Sequence, residues 1–240
     1  MITDINNYKV KYPTMNENSH IIENIFNEIG TSTKYFVEFG FTDLHYPYCD
    51  NTVFLKQEKG WYGLWMDSVE TKTVIADGVS EAIVRKNKNV KIHDVTPDNI
   101  NQLLKKYNVP NGFDFLCINT HYTYFWVWKS LEYNPYVVMI RYNPYINPAL
   151  SKVIKYESDF DWDGCTNNYG ASFKAIIKLG KEKGYTVVGS TITGDTSNYL
   201  FFVKDFLIAE HFKLPKTIKK LYTKPNEIYR KPESDKLIKY

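Results

Sequence analysis

The sequence predicts an α/β fold: a doubly wound, mostly parallel seven-stranded sheet with helices on both faces and an antiparallel hairpin as its C-terminal part. Three observations predict it. Short β-branched and aromatic runs alternate with amphipathic helical stretches along most of the chain. Glycines, prolines and capping residues fall at the joints between them. The last two strand patterns, Tyr185 to Gly189 and Tyr199 to Val203, stand nine residues apart, too close for a crossover helix, so they should pair antiparallel.

In chain order, Asn16 to Ile29 sets Ile21, Ile22, Ile25, Phe26 and Ile29 on one helical face ahead of Gly30, a C-terminal capping residue. Tyr35 to Phe39 (YFVEF) is a buried strand that feeds a tight turn at Gly40. Past Asp50, which fits an N-cap, Val53 to Lys59 reads as a helix stopped by Gly60. Trp61 to Met66 is a second strand ending in Asp67. Ser80 to Asn87 reads as a short helix, and Val90 to His93 as a third strand closing at Asp94. Thr96 as N-cap, Pro97 at the first helical position and Asp98 in the first turn start a helix that runs to about residue 107, with Ile100, Leu103 and Leu104 as its stripe. Phe113 to Ile118 is the fourth strand, Tyr124 to Leu131 a helix and Tyr136 to Tyr142 the fifth strand. Residues 143–168 have no clean period and contain Pro144 and Pro148, so they read as a long loop. Ala171 to Lys183 is an amphipathic helix capped by Gly184 ahead of the hairpin.

With 240 residues, 43% hydrophobic and 24% charged, the chain fits one globular domain, taken as residues 1–212 with 1–33 as a helical extension. Residues 213–240 carry nine Lys/Arg against three Asp/Glu, and the rest of the chain 21 against 24, so a basic tail follows a slightly acidic body. Its tyrosines, Tyr222, Tyr229 and Tyr240, suit either contact with nucleic acid or a solvated extension. No apolar run approaches the roughly 18 residues of a membrane span, and the N-terminus lacks a signal-peptide pattern, which predicts a cytoplasmic protein without membrane contact. Three scattered cysteines, Cys49, Cys117 and Cys165, predict neither a disulfide framework nor a zinc site. Heavy use of Asn, Lys, Ile and Tyr fits an AT-rich genome, viral or microbial; a viral origin would place the protein in host cytoplasm or virion.

At VEFGFTD (Val37 to Asp43), an acid in the first strand is followed by a turn glycine and a further acid. This resembles the first motif of the class I S-adenosylmethionine-dependent methyltransferases, whose Rossmann-like sheet ends in such a hairpin. GWYGLWMD (Gly60 to Asp67) looks like the Gly-Trp-x-Gly strand of the FkbM-like subgroup, and residues 114–143 and Trp162 to Gly189 resemble that subgroup in the same order. The resemblance implies S-adenosylmethionine as cofactor, held by Glu38, Gly40, Asp43, Asp67 and Asp94, with Asn119 and His121 at the catalytic position. It implies O-methylation of a sugar, glycan or other small-molecule acceptor.

The departures are polar. Phe41 and Leu44 stand where the family has small residues, Asn119 and His121 where it has aspartates, Tyr122 for a glycine and Arg141 for a glutamate. Exchanged acids argue against a divalent metal and open the alternative of a catalytically inactive relative kept as a binding or structural module. Glu38 can bind cofactor or accept backbone N–H groups, and His121 can act as a general base or rest hydrogen-bonded in a loop. Asp159, Asp161 and Asp163 alternate like a calcium loop but lack its Gly and Glu spacing, so they read as loop-structuring. The run Tyr122, Tyr124, Phe125, Trp126 and Trp128 serves stacking or core packing, and Cys117 is buried and inert.

Overall fold

The computed structural model describes residues 16–40, 51–68, 71–76, 79–84, 90–120, 122–158, 166–193, 197–208, 212, 214, 218–222, 224 and 236–240. In chain order the elements are α1 (Glu17–Ile29), β1 (Tyr35–Phe39), α2 (Val53–Lys59), β2 (Tyr62–Asp67), β3 (Thr71–Ala76), β4 (Val79–Val84), β5 (Val90–Ile92), α3 (Ile100–Lys106), β6 (Phe115–Ile118), α4 (Tyr124–Ser130), β7 (Val137–Tyr142), β8 (Lys152–Ile154), α5 (Phe173–Glu182), β9 (Tyr185–Thr193), β10 (Ser197–Lys204) and β11 (Leu237–Lys239).

Seven strands form the main sheet in the order β5-β2-β1-β6-β7-β10-β9. The first five are mutually parallel, and β10 runs antiparallel to both β7 and β9. The expected hairpin is therefore present, with its second strand inserted beside the parallel block. From β1 the chain first builds outward through β2 to β5 and then returns to lay β6 against the other side of β1. The strand order thus reverses between β1 and β6, the point at which open α/β sheets leave a crevice beyond the strand ends.

Period-2 alternation assigns the two faces. Val37, Phe39, Leu64, Met66, Leu116, Ile118, Val138 and Ile140 pack against α3, α4 and α5. Their neighbours Phe36, Trp65, Phe115, Cys117, Val137 and Met139 pack against α1 and α2. Gly180 lets α5 lie close to β10, since a Cβ there would stand 2.4 Å from the Phe202 ring. The start of α1 is set by Asn16, whose side chain accepts the Ser19 N–H at 2.9 Å. Below the sheet, buried Asp114 accepts the N–H groups of Ser32, Thr33 and Lys34, which ties the α1–β1 connection to the foot of β6. The helical extension is thereby part of the core.

Four expectations change. The helix expected from Pro97 with Thr96 as N-cap begins at Ile100 instead, because 97–99 form a turn in which the Asn99 side chain accepts the Thr96 N–H at 2.9 Å. Residues 79–84 are the strand β4, paired with β3, not the start of a helix. The β-branched run TKTVIA, the Asp77 and Gly78 pair and the β-branched VSEAIV together are a hairpin signal that outweighs the helical spacing of Ala82 and Ile83. Residues 143–168 are not loop throughout, because Lys152–Ile154 pairs with β11. The segment 213–240 is also not a solvated extension in its described parts. Leu221 is buried, the Tyr222 hydroxyl donates to the Pro144 carbonyl at 2.9 Å, and the Tyr240 ring meets Phe125 edge-on at 4.7 Å. Lys129 and Lys178 each stand 4.8 Å from that ring, and its hydroxyl bonds the Glu182 carboxylate. Rings and lysine stems can dock while the charges stay in water, so a sequence without apolar period still packs. Among the described residues no helix is long and apolar enough to cross a membrane.

Removing residues 236–240 strips β8 of its partner and the Phe125 ring of its cover, at a cost of about 2 kcal/mol, or roughly 4–8 °C in melting temperature for a domain of this size. An unchanged melt for the truncated chain would show that the docking is energetically idle.

Candidate functional site

Gly40 ends β1 at φ +75, and its N–H bonds the Met66 carbonyl at 2.9 Å. A Cβ on it would stand 2.3 Å from the Asn119 carbonyl oxygen, so the turn after β1 lies directly on the turn after β6. Only glycine accommodates both the left-handed backbone and that contact. Register extends the contact into a row. Phe39 pairs with Met66 and Ile118, and Ile118 with Ile140, so one residue further on Asp67, Gly40, Asn119 and Arg141 stand level across four strands. Arg141 pairs with Tyr199, and Tyr199 with Thr191. By alternation this row falls on the α1/α2 side of the carboxyl rim.

Its members are bonded to one another. The Tyr199 hydroxyl donates to Asn119 Oδ1 at 2.8 Å, and Arg141 Nη1 reaches the same oxygen at 3.4 Å with its guanidinium carbon 5.9 Å from the Tyr199 ring centre. Asn119 is thus held by its side-chain oxygen. Asp67 is 5% exposed at the end of β2, with the Ser68 hydroxyl 3.5 Å from Oδ1. Next to it, the His93 N–H bonds the Asp67 carbonyl at 2.9 Å. His93 Nε2 lies 2.6 Å from the Tyr107 hydroxyl, and desolvation, with help from the Lys106 charge, holds its imidazole below the usual range. Asp94 is exposed, just beyond the end of β5, and its carbonyl accepts from Asn99.

Glu38 stands apart from the rim, one turn of the pleat below it and with no exposed surface. Oε1 accepts the Asn51 N–H at 3.3 Å, the Asn51 side-chain amide at 3.2 Å and the Cys117 thiol at 3.4 Å. The Thr52 hydroxyl donates to Oε2 and itself accepts the Trp65 indole N–H at 2.8 Å. Asn51 in turn accepts from Asn18 of α1, whose amide oxygen takes the Thr191 hydroxyl. Of the two roles open to Glu38 in the sequence, its geometry is that of an internal acceptor. Burial raises its carboxyl above the usual range, and the four hydrogen bonds only partly offset this.

The structure therefore brings Gly40, Asp67 and Asn119 together, sets Asp94 at the outer margin and withdraws Glu38 into the core. Asp43, His121, Phe41, Leu44 and the aspartates 159, 161 and 163 lie outside the described residues. Among the described residues no cluster of three His, Cys, Asp or Glu side chains could hold a metal ion. Tyr124, Phe125 and Trp128 are core residues, while Trp126 donates to the Ile154 carbonyl at 2.9 Å and so anchors β8. Tyr222 and Tyr240 use their rings internally. Sequence reasoning gave no role to Asn18, Asn51, Thr52, Thr191, His93 or Tyr199, because single polar residues without a motif carry no signal of their partners. No protein-family model matches the chain, and no curated protein matches it.

Two substitutions check this geometry. Gly40→Ala must move the Asn119 turn and is expected to cost about 1–3 kcal/mol in unfolding free energy; no cost would mean the two turns are not in contact. For Glu38, a raised native pKa means that the folded state holds the proton more tightly than the unfolded chain. Its contribution is fully present below the unfolded carboxyl pKa and is lost as pH rises through the native value. Denaturant melts of wild type and Glu38→Gln between pH 4 and pH 8 should therefore show the variant gaining on wild type as pH rises. A constant difference would mean that Glu38 titrates as it does unfolded.

Proposed function

We propose that this chain is a class I methyltransferase-fold protein that binds S-adenosylmethionine at the carboxyl rim where β1 meets β6. The observation that carries this reading is the Gly40 turn seated on Asn119 at the strand-order reversal, with the Asp67 carboxylate one strand away. Bare backbone at Gly40 lets a nucleoside approach the sheet end, and a strand-end carboxylate suits the paired hydroxyls of a ribose. The donor set thus fits an adenosine-type cofactor, with Asp67 on the sugar and Asp94 toward the base. When bound, that cofactor would supply an electrophilic methyl group on a sulfonium. The order of five parallel strands and a closing antiparallel hairpin supports the same reading, since it is the order that the resemblance implied.

Toward an acceptor, Asn119 acts as a positioning residue, because Tyr199 and Arg141 already fix its amide oxygen. His121 is the proposed base for a sugar or other small-molecule hydroxyl. A second reading, a non-catalytic binding module, is favoured by one observation: Arg141 stands level with Asn119, so a guanidinium shares the rim with the sulfonium such an enzyme must hold. In both readings the cofactor pocket is the same and the transfer step separates them.

Calorimetric titration with S-adenosylmethionine and S-adenosylhomocysteine tests the pocket. Asp67→Ala should weaken binding by about 1–3 kcal/mol, because ribose hydroxyls lose a nearly buried acceptor. Absence of binding at millimolar ligand, or tight binding indifferent to Asp67→Ala, would overturn the assignment.

A further inference from the structure

The Asn119 side chain is an amide whose two ends face different strands. Toward β7 and β10, its Oδ1 meets Arg141 Nη1 at 3.4 Å and the Tyr199 hydroxyl at 2.8 Å. A guanidinium has donors only, so the amide atom turned toward Arg141 must be the oxygen. A tyrosine hydroxyl can serve either polarity, and facing the same oxygen it is the donor. The other end of the amide follows. Nδ2 is turned toward β1, where the Gly40 carbonyl stands 3.5 Å away, beyond the usual length of an N–H···O bond. An amide nitrogen carries a pair of N–H groups, and among the described residues the Gly40 carbonyl is the only acceptor that Nδ2 meets, and at that long distance. Asn119 is half-buried, a position in which an unmet donor is costly and a met one is stronger than in open water.

This polarity bears on what the rim can hold. Gly40 is bare backbone, with Asp67 level on its β2 side and Asn119 level on its β6 side, the two strands being roughly 10 Å apart. The flanks are unlike: a carboxylate, which accepts, and an amide N–H, which donates. The aspartate that the family resemblance implies at 119 would also accept, so the exchange reverses the hydrogen-bonding sense of that flank.

We infer that Asn119 is a specificity-determining donor, so that the ligand group seated beside Gly40 on the β6 side is an oxygen acceptor, a carboxylate or carbonyl, and not an ammonium or other N–H group. Tyr199 and Arg141 are positioning residues that hold the amide in this sense, and nothing is asked of the guanidinium beyond its bond to Asn119. The polarity of Asn119 stands on these bonds alone; the remainder of the ligand rests on the nucleoside reading above. The oxygen has two sources, the amino-acid carboxylate of the cofactor or a carboxyl or carbonyl group on the acceptor.

Two thioether analogues of S-adenosylhomocysteine separate the polarities: a carboxypropyl form that keeps the carboxylate and lacks the ammonium, and an aminopropyl form that keeps the ammonium and lacks the carboxylate. Both are titrated calorimetrically into the full chain and its Asn119→Ala and Tyr199→Phe variants, with thermal melts to check that each is folded. Acetate is titrated into wild type and Asn119→Ala saturated with 5′-methylthioadenosine, and read at the Gly40 backbone amide. If the cofactor supplies the oxygen, wild type binds the carboxypropyl form at least tenfold more tightly than the aminopropyl form, and Asn119→Ala brings the two within twofold. Tyr199→Phe, which frees the amide to turn, lowers the preference at least threefold and serves if the Ala variant is unfolded. If the acceptor supplies it, the two thioethers bind wild type alike, and acetate binds the loaded wild type at least tenfold more tightly than the loaded Asn119→Ala variant. A preference for the aminopropyl form, a carboxypropyl preference that survives Asn119→Ala, or equal thioethers with acetate indifferent to the substitution overturns the inference. Failure of every nucleoside to bind wild type overturns the nucleoside reading instead. Acetate titrated into the unloaded chain then decides the polarity: binding that depends on Asn119 upholds the donor, and indifference overturns it.

Discussion

Glu38 has no exposed surface, and a carboxylate in that position is tolerable only when donors surround it. Those donors come from Asn51 and Thr52 at the start of α2 and from Cys117 in β6, all converging on a residue of β1. Asn51 passes the connection to α1 through Asn18 and on to β9 through Thr191; Thr52 passes it to β2 through Trp65. One acid thereby registers both helices of that face on four strands of the sheet. The same bonds set the Gly40 to Asn51 separation, because Gly40 lies two residues from Glu38 and Asn51 is its direct partner. The two ends of the connection that follows β1 are fixed before any ligand is considered.

The distinction between a carboxylate used inside the fold and one held at its rim follows from the pleat. Glu38 and Asp67 both belong to the α1/α2 side of the sheet, but Asp67 ends its strand, where the covering helix no longer has to be served. Gly40, level with Asp67, brings the turn after β1 onto the turn after β6 and so joins the two halves of the sheet at the strand-order reversal. Everything proposed for this protein's chemistry depends on that junction: an acid on one side, an amide and a guanidinium on the other, and bare backbone between.

Much of the scaffold was legible in the sequence because it is written in short-range signals. The YFVEF strand, the apolar stripe of Ile100, Leu103 and Leu104, and the short gap before the closing strand each carry their meaning within a few residues. The β3–β4 hairpin is equally legible through Asp77 and Gly78, against which the helical spacing of the same stretch is the weaker signal. Glu38 is different. Its motif position fits a cofactor ligand and an internal acceptor equally well, and the partners that decide between them lie 13 and 14 residues away for Asn51 and Thr52 and 79 for Cys117. The link from Asn18 to Thr191 spans 173 residues. No local pattern encodes such pairings. The tail illustrates the same limit: a run of lysines and tyrosines states that it is basic, and only the grooves beside α4 and α5 decide that its rings dock.

We propose that the carboxyl rim at the β1/β6 junction is where this protein meets its ligand. Backbone amide spectra of the labelled full chain, recorded while S-adenosylhomocysteine is added, test it most directly. The amides of Gly40, Asp67 and Asn119 are expected to shift saturably, while those of Tyr62 and Lys183 at the opposite end of the strands stay in place. Saturable shifts at that opposite end with the rim unmoved would contradict it, as would spectra that do not change at millimolar ligand.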